Sequence, residues 1–164
     1  QTEPFENSIR YLYITDFFSD KNILFVQDKE DYYHIQKNDI CIANTGNTCG
    51  KSFRGAEGLL SNNMFKIFIE KEKVSEEYYW HYLQSDLYWS QLSKFFNSAG
   101  QPHVGHKNMS ILRITIPSLA EQQQIASILS SIDERIELYK SEKEDFVQVK
   151  KGLMEKLLTG KIRV

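Results

Sequence analysis

The chain has 164 residues, of which 41% are hydrophobic and 26% are charged, and its formal net charge is −2. This composition is typical of a folded globular protein and excludes a long disordered chain. The length allows one ordinary domain plus one long element, or two very small domains. No apolar run reaches the roughly 18–20 residues of a membrane-spanning helix, so the sequence predicts no such helix.

Residues 1–117 are predicted to form a compact mixed α/β domain, which places the whole chain in the α+β class. β-branched and aromatic residues favour short strands over residues 9–14, 23–27, 32–35, 39–43, 64–69 and 112–116. Residues 76–96 lack Gly and Pro and space their apolar side chains at helical intervals, which predicts a helix. Turn-forming residues, mainly Asn, Gly and Ser, separate these segments.

The two cysteines, Cys41 and Cys49, carry little functional signal. Their spacing matches neither a CxxC metal-binding pair nor a disulfide framework, and no nearby pair of histidines completes a zinc site. We therefore expect two buried thiols in a reducing compartment, the cytoplasm. We expect no metal and no other cofactor.

Residues 45–52, TGNTCGKS, resemble a phosphate-binding loop. Gly46 and Gly50 enclose three residues, whereas the pattern GxxxxGK[ST] requires four, and the loop length determines where the amides point. A nucleotide-binding enzyme is therefore only a remote alternative. We still expect a flexible loop whose exposed amides, together with Lys51 and Arg54, suit contact with a nucleic-acid phosphate.

No motif for catalysis stands out elsewhere. The sequence has no Pro-Pro pair, which the catalytic tetrapeptide of the amino-methyltransferase family would require, and neither an HExxH nor a GxSxG pattern. His103 and His106 lie in a predicted loop without evident further metal ligands, so we expect them to have a surface role or a role in contacting bases. The chain is predicted not to be an enzyme.

Acidic residues are scarce in two segments: residues 87–120 contain none, and residues 40–69 contain only Glu57. Folded together, these segments would form a locally positive face, and Asn, Gln, Lys and Arg are the residues that read bases and bind phosphates. Each residue alone also fits an ordinary turn. The DNA-binding candidates in these segments are Asn44, Thr45, Asn47, Lys51, Arg54, Asn62, Asn63, Gln101, His103, His106 and Lys107.

Residues 118–160 are predicted to form one long helix, followed by a short tail over residues 161–164. Ser118 and Glu121 have the spacing of a capping box, and Gly160 marks the end of the helix. A heptad seam between them is apolar except at Lys143 and Lys150, and such a seam is typical of a helix that pairs with another helix. The apolar seam positions are Ile125, Leu129, Ile132, Ile136, Tyr139, Phe146, Leu153 and Leu157.

Residues 116–136, IPSLAEQQQIASILSSIDERI, resemble the start of the conserved helix in specificity subunits of type I restriction–modification systems. That family typically has Pro, an apolar residue, Glu-Gln, then Ile-Ala, Leu and an Asp before a further Ile. Residues 151–164 are similar to the end of the same helix. Residues 37–46 and 98–104 resemble a strand with its glycine turn and a late loop of the family's target-recognition domain.

This resemblance implies sequence-specific recognition of double-stranded DNA by a subunit without catalytic activity. In the family, two recognition domains each read half of a split, asymmetric site, and two conserved helices pair antiparallel to set the gap between them. Modification subunits methylate adenine with S-adenosylmethionine, and restriction subunits translocate and cleave. This chain would supply one recognition domain and one helix, and we expect the C-terminal half of a subunit or a half-length subunit.

The seam supports the same interpretation independently, since a single helix cannot bury its own apolar stripe. We therefore expect the chain to pair with a second copy through the long helix. The alternative from another functional class is a coiled-coil interaction module without a DNA role. That alternative explains the helix equally well but leaves the acid-poor segments unexplained.

Overall fold

The computed structural model describes residues 1–21, 23–29, 34–96 and 102–163. They form two compact units, residues 1–122 and 123–164. The strands are β1 (Ser8–Leu12), β2 (Leu24–Gln27), β3 (His34–Ile35), β4 (Cys41–Ala43), β5 (Ser52–Phe53), β6 (Gly58–Leu60) and β7 (Met64–Lys66). The helices are α1 (Glu76–Gln84), α2 (Asp86–Leu92), α3 (His106–Ile111) and α4 (Leu119–Leu158). Short 3-10 turns occupy Ile14–Phe17, Gly46–Thr48 and Ser93–Phe95.

The strands of the first unit form two small sheets. In the first, with order β2-β1-β6-β3, β1 pairs antiparallel with β2 and parallel with β6, and β3 pairs antiparallel with β6. In the second, with order β5-β4-β7, β4 is the central strand and pairs antiparallel with both neighbours. The segment that follows β4 and the segment that precedes β7 therefore lie at the same end of the second sheet.

The main core packs β4 against α1 and α2. Its buried members are Ile40, Ile42, Cys49, Tyr82, Leu83, Tyr88, Leu92 and Val104. Tyr88 is fully buried, and its hydroxyl donates to the Gly50 carbonyl at 2.6 Å. A β-carbon at Gly50, whose φ is +82°, would lie 2.2 Å from Leu92 Cδ2, so only glycine fits this position.

Both cysteines are buried and free, which confirms the expected buried thiols. Burial raises the pKa of Cys41 to about 12, with a smaller contribution from the charge of Asp39. Burial also raises the pKa of Cys49. Both thiols therefore stay protonated and unreactive in the folded domain near neutral pH.

The predicted helix over residues 76–96 is interrupted, and this is a correction. Helix α1 ends at Gln84, and Ser85 is extended with ψ 154°. The Ser85 hydroxyl accepts a hydrogen bond from the Tyr88 N–H at 3.3 Å and so caps a new helix, α2. Serine followed by aspartate is a strong N-cap signal, and here it outweighs the continuous helical spacing.

The predicted strand over residues 112–116 is wrong, because no strand pairs with this segment in the described part of the chain. Side chains of the helices satisfy its backbone instead. The Gln91 amide accepts from the Arg113 N–H and donates to its carbonyl, both at 2.8 Å, and the Tyr78 hydroxyl donates to the Thr115 carbonyl at 2.7 Å. Predicted strands at residues 9–14, 23–27, 39–43 and 64–69 are confirmed with shorter bounds, and His34–Ile35 forms the described part of the one at 32–35.

Helix α4 is 40 residues long, which confirms the predicted long C-terminal helix. The Ser118 hydroxyl accepts from the Glu121 N–H at 3.3 Å, which is one of the two hydrogen bonds of a capping box. At the other end Gly160 has a φ of +70°, and its N–H donates to the Leu157 carbonyl at 3.2 Å. Across the described residues, no helix has the length and apolar character needed to cross a membrane.

Within the first unit, Gln122 fixes the first turn of α4. Its side chain is fully buried, and its Oε1 accepts from the Ser75 N–H at 2.8 Å. Its Nε2 donates to the carbonyls of Lys73 and Pro117, both at 2.9 Å. The glutamine of the Glu-Gln pair in the family pattern thus binds backbone groups of two separate segments.

Candidate nucleic-acid interface

Asn44 ties the end of β4 to the turn between β6 and β7. Its N–H donates to the Asn63 carbonyl at 2.9 Å, and its Nδ2 donates to the Asn62 carbonyl at 3.0 Å. Its Oδ1 is buried and has no hydrogen-bond partner among the described residues. The role of Asn44 in the folded domain is therefore to position a turn, while Asn62 and Asn63 are exposed.

The segment before α3 also pairs with the residues that follow β4. The Val104 N–H donates to the Asn44 carbonyl at 2.8 Å, and Thr45 forms an antiparallel bridge with His103. The Asn44 carbonyl also accepts from the Cys49 thiol at 3.3 Å. Backbone pairing thus joins residues that lie about sixty positions apart in the sequence.

His106 and Lys107, at the start of α3, continue the surface formed by these segments. The prediction of a loop at His106 is wrong, because His106 is the first residue of α3, whose N-terminus is capped by Asn108 Oδ1 accepting from the Gly105 N–H at 3.0 Å. The His106 ring packs on Phe65 of β7 with centroids 4.6 Å apart. Both His106 and Lys107 are exposed.

We call this surface the polar edge, and none of its side chains is acidic. Its amide and imidazole groups both donate and accept hydrogen bonds, and Lys107 adds a positive charge, which is the chemistry that base edges and phosphates require. Gln101, a further polar candidate, lies outside the described residues. The polar edge consists of Asn44, Thr45, Asn47, Asn62, Asn63, His103, His106 and Lys107.

A surface pocket of about 440 Å³ adjoins the polar edge, and Asn62 and His106 both line it. Phe68 lines it as well and is 72% exposed, with the Lys66 ammonium 5.4 Å from its ring centroid. Lys66 Nζ is also bound to the Asp39 carboxylate at 2.7 Å. The sequence analysis placed Phe68 inside the predicted strand 64–69, and it missed Phe68 as a surface residue because apolar strand residues are ordinarily assigned to the core.

Lys51 and Arg54 line a different pocket, of about 500 Å³, on the side of β5. Lys51 is exposed. Arg54 donates to the Glu77 carboxylate at 2.7 Å and lies 4.3 Å from the ring centroid of Trp80. The structure therefore divides the candidate residues into two groups, of which these two cations form the smaller.

The segment that resembles a phosphate-binding loop has the geometry of a packed turn, so the expectation of exposed amides is wrong. The N–H groups of Cys49, Gly50 and Lys51 donate to backbone carbonyls of residues 46, 43 and 48 at 2.8–3.0 Å. A strand, β5, follows rather than a helix. A phosphate would need those amides free and a helix N-terminus behind them. In the described part of the chain, no group of three or more His, Cys, Asp or Glu side chains is placed to hold a metal.

In the second unit, α4 exposes its apolar seam. The exposed fraction ranges from 41% for Leu129 to 65% for Phe146, and Ile125 is half-buried. Toward the C-terminus, Phe146, Leu153 and Leu157 line an apolar groove. The remaining exposed seam residues are Ile132, Ile136 and Tyr139.

Comparison with known proteins identifies the family. The family described as "Type I restriction modification DNA specificity domain" matches residues 1–147. The chain belongs to this family. It is 34% identical over 160 residues, 96% of its length, to the type I restriction enzyme MjaVIII specificity subunit of Methanocaldococcus jannaschii. It is also 35% identical over 111 residues, 68% of its length, to the putative type I restriction enzyme MjaX specificity subunit of the same organism.

Two solved structures share the fold of this specificity domain. One, from work on complex assembly and conformational transition of the type I R-M system, matches 95% of the chain with a TM-score of 0.72 and 18% identity. The other, the HsdS subunit from Thermoanaerobacter tengcongensis, matches 90% with a TM-score of 0.63 and 16% identity. The chain spans 36% and 24% of the two curated relatives and 43% and 41% of the two solved chains.

Proposed function

We propose that this specificity domain recognises a DNA sequence through the polar edge. The observation that carries the proposal is that three separate segments, after β4, between β6 and β7, and before α3, assemble one exposed surface without an acidic side chain. The match to the DNA specificity family supports the same function independently.

The contacts are divided between base edges and phosphates. Asn47, Asn62 and His103 are exposed and provide amide and imidazole groups for base edges. Lys107 and Lys51 bind phosphates. Arg54 is already paired with Glu77, so its contribution requires the exchange of that carboxylate for a phosphate.

The long helix has the second role in this proposal. We assign residues 1–117 to recognition, residues 118–160 to a spacer and pairing helix, and residues 161–164 to a tail. The exposed seam pairs antiparallel with the helix of a second copy in the isolated chain, because burying it removes apolar surface from water. Light scattering at high protein concentration tests this, and a monomer would contradict it.

The chain acts without catalytic chemistry of its own. It directs modification subunits, and through them restriction subunits, to the DNA site, in the cytoplasm where these partners and the DNA meet. A coiled-coil interaction module without a DNA role is the second candidate function, favoured by the exposed seam alone.

A fluorescence anisotropy titration with labelled duplexes separates the two functions. Lys107→Ala is expected to weaken binding to all duplexes alike and to reduce the slope of log K against log salt by about one. Asn62→Ala is expected to relax the sequence preference found in a site-selection library, since a lost base contact changes discrimination. Lys140→Ala is the matched control, because Lys140 lies on α4 and is paired with Glu137. Duplex binding that is absent, or unchanged by both variants, would leave the interaction module as the function.

A further inference from the structure

We propose that the pocket beside β5 binds one unpaired nucleotide of the bound DNA, with the base against its aromatic wall and the phosphate on Lys51. The inference rests on the proposed function, because the nucleotide comes from the DNA that the domain recognises. We call this site the aromatic pocket. Its volume of about 500 Å³ lies within the ~300–1,000 Å³ range of ligand sites.

The walls of the aromatic pocket come from four parts of the first unit. The 3-10 turn after β1 and the residue following it contribute Phe17 and Phe18, and β5 contributes Phe53. Helices α1 and α2 contribute Trp80 and Trp89. These are three phenyl rings and both tryptophans of the chain.

Phe18 is the most unusual of these residues, because it is 75% exposed. Its ring stands edge-on to the buried ring of Phe53, with centroids 5.7 Å apart. A large apolar ring that the core leaves in water next to a pocket is a ready stacking surface. Every base can stack on such an aromatic side chain, because every base has a flat π face.

The charges of the aromatic pocket select an anion. Within the described residues, Lys51 is paired with no carboxylate, and no acidic side chain lines the pocket. The Arg54 guanidinium is held against Trp80 by Glu77, so it extends the flat wall while Glu77 balances its charge. A flat aromatic group joined to a phosphate would contact both the aromatic wall and Lys51, and a nucleotide of the bound DNA has both groups. An aromatic side chain of a protein would satisfy the rings and leave Lys51 without a counter-charge.

Since Trp80 and Trp89 are the only tryptophans, intrinsic tryptophan fluorescence of the full chain reports on this pocket alone. We expect saturable quenching by a short single-stranded oligonucleotide and by a duplex with one bulged nucleotide. Weaker quenching is expected with deoxyadenosine monophosphate, and none with inorganic phosphate. A fully paired duplex should bind in the anisotropy assay and quench less than the bulged duplex, because a base must first be unpaired to reach the pocket.

Variants on the pocket rim test the assignment without disturbing the core. Phe18→Ala is expected to weaken oligonucleotide binding by about tenfold, toward the lower end of what a base–aromatic stack contributes. Lys51→Ala is expected to weaken it and to flatten its salt dependence. Leu138→Ala is the control, since Leu138 is a 66% exposed apolar residue on α4 that does not line the aromatic pocket, and this change should leave the quenching unchanged.

The absence of saturable quenching by every nucleotide ligand would overturn the inference, and so would equal quenching in Phe18→Ala and the parent chain. Monophosphate binding as tight as the oligonucleotide would overturn the assignment to DNA. The proposed function fails separately: anisotropy would then detect no duplex binding, whatever the tryptophan signal does.

Discussion

Replacing Gln122 by Leu removes the three hydrogen bonds that join the first turn of α4 to the rest of the first unit. The change keeps the volume and the helix propensity close to those of glutamine, so it isolates the amide. It leaves the Ser75 N–H and the carbonyls of Lys73 and Pro117 without their partner. Each partly buried group left unsatisfied costs about 1 kcal/mol, at the low end of the usual range, so the free energy of unfolding should fall by about 3 kcal/mol.

Gln122→Glu adds a pH dependence whose sign follows from the same contacts. A carboxylate can accept from the Ser75 N–H, but it cannot donate to the two carbonyls, so the buried site favours the protonated acid and raises the pKa of the introduced carboxyl above its unfolded value of about 4.3. The stability of this variant is therefore greatest below about pH 4.3 and is lost as the pH rises through the raised pKa of the folded state. The loss between acidic and neutral pH should be larger than in the Leu variant.

Urea unfolding followed by tryptophan fluorescence measures these changes, because both tryptophans lie in the first unit. The matched control is Gln124→Leu, the same substitution two positions along α4 at an exposed residue, which should change stability by less than about 0.5 kcal/mol. If Gln122→Leu and Gln124→Leu unfold at the same urea concentration, Gln122 does not hold the helix start in the way described.

Three further substitutions and one labelling experiment test the framework. Gly50→Ala should destabilise by roughly 2–4 kcal/mol, from the left-handed backbone and the clash with Leu92. Gly152→Ala, near the C-terminal end of α4 where a β-carbon meets open space, should instead stabilise by about 0.5–1 kcal/mol, and thermal unfolding compares the two variants. Ser118→Ala should cost about 1 kcal/mol by removing the cap of α4, and an unchanged urea midpoint would contradict this. Because burial raises its pKa to about 12, Cys41 should resist iodoacetamide at mildly alkaline pH until urea unfolds the domain, and rapid alkylation of the folded chain, detected by mass spectrometry, would refute this.

Much of the fold was predictable where local signals and tertiary partners agree. All three residues of β4 are buried, and Leu12 of β1 is fully buried, as apolar strand residues should be. The ends of α4 follow from Ser118 and Gly160 because caps act within one turn of the chain. Strands β5 and β6 were missed, since two or three residues containing Ser or Gly carry no strand pattern and become strands only through pairing.

Residues 112–116 fail for a related reason. Their alternation of apolar and polar residues is that of a strand, yet their hydrogen bonds go to the side chains of Gln91 and Tyr78, twenty or more positions earlier. No local pattern identifies such a partner. The same holds for the candidate site, whose residue types were predictable from composition while their grouping was not, because it depends on Asn44 binding both the turn at Asn62 and the segment at Val104.

Some residues of the polar edge hold its backbone segments together, and others are exposed. This difference bears on how such a domain can change the DNA sequence that it reads. The side-chain N–H, backbone N–H and carbonyl of Asn44 all form hydrogen bonds to the turn at Asn62 and to the segment at Val104. Asn47, Asn62 and His103 are exposed. Under the proposed function, substitutions at these three positions alter base contacts at little cost to folding, whereas a substitution at Asn44 releases the turn and the segment together. A recognition domain built in this way can diverge in specificity while its fold and its long helix stay the same.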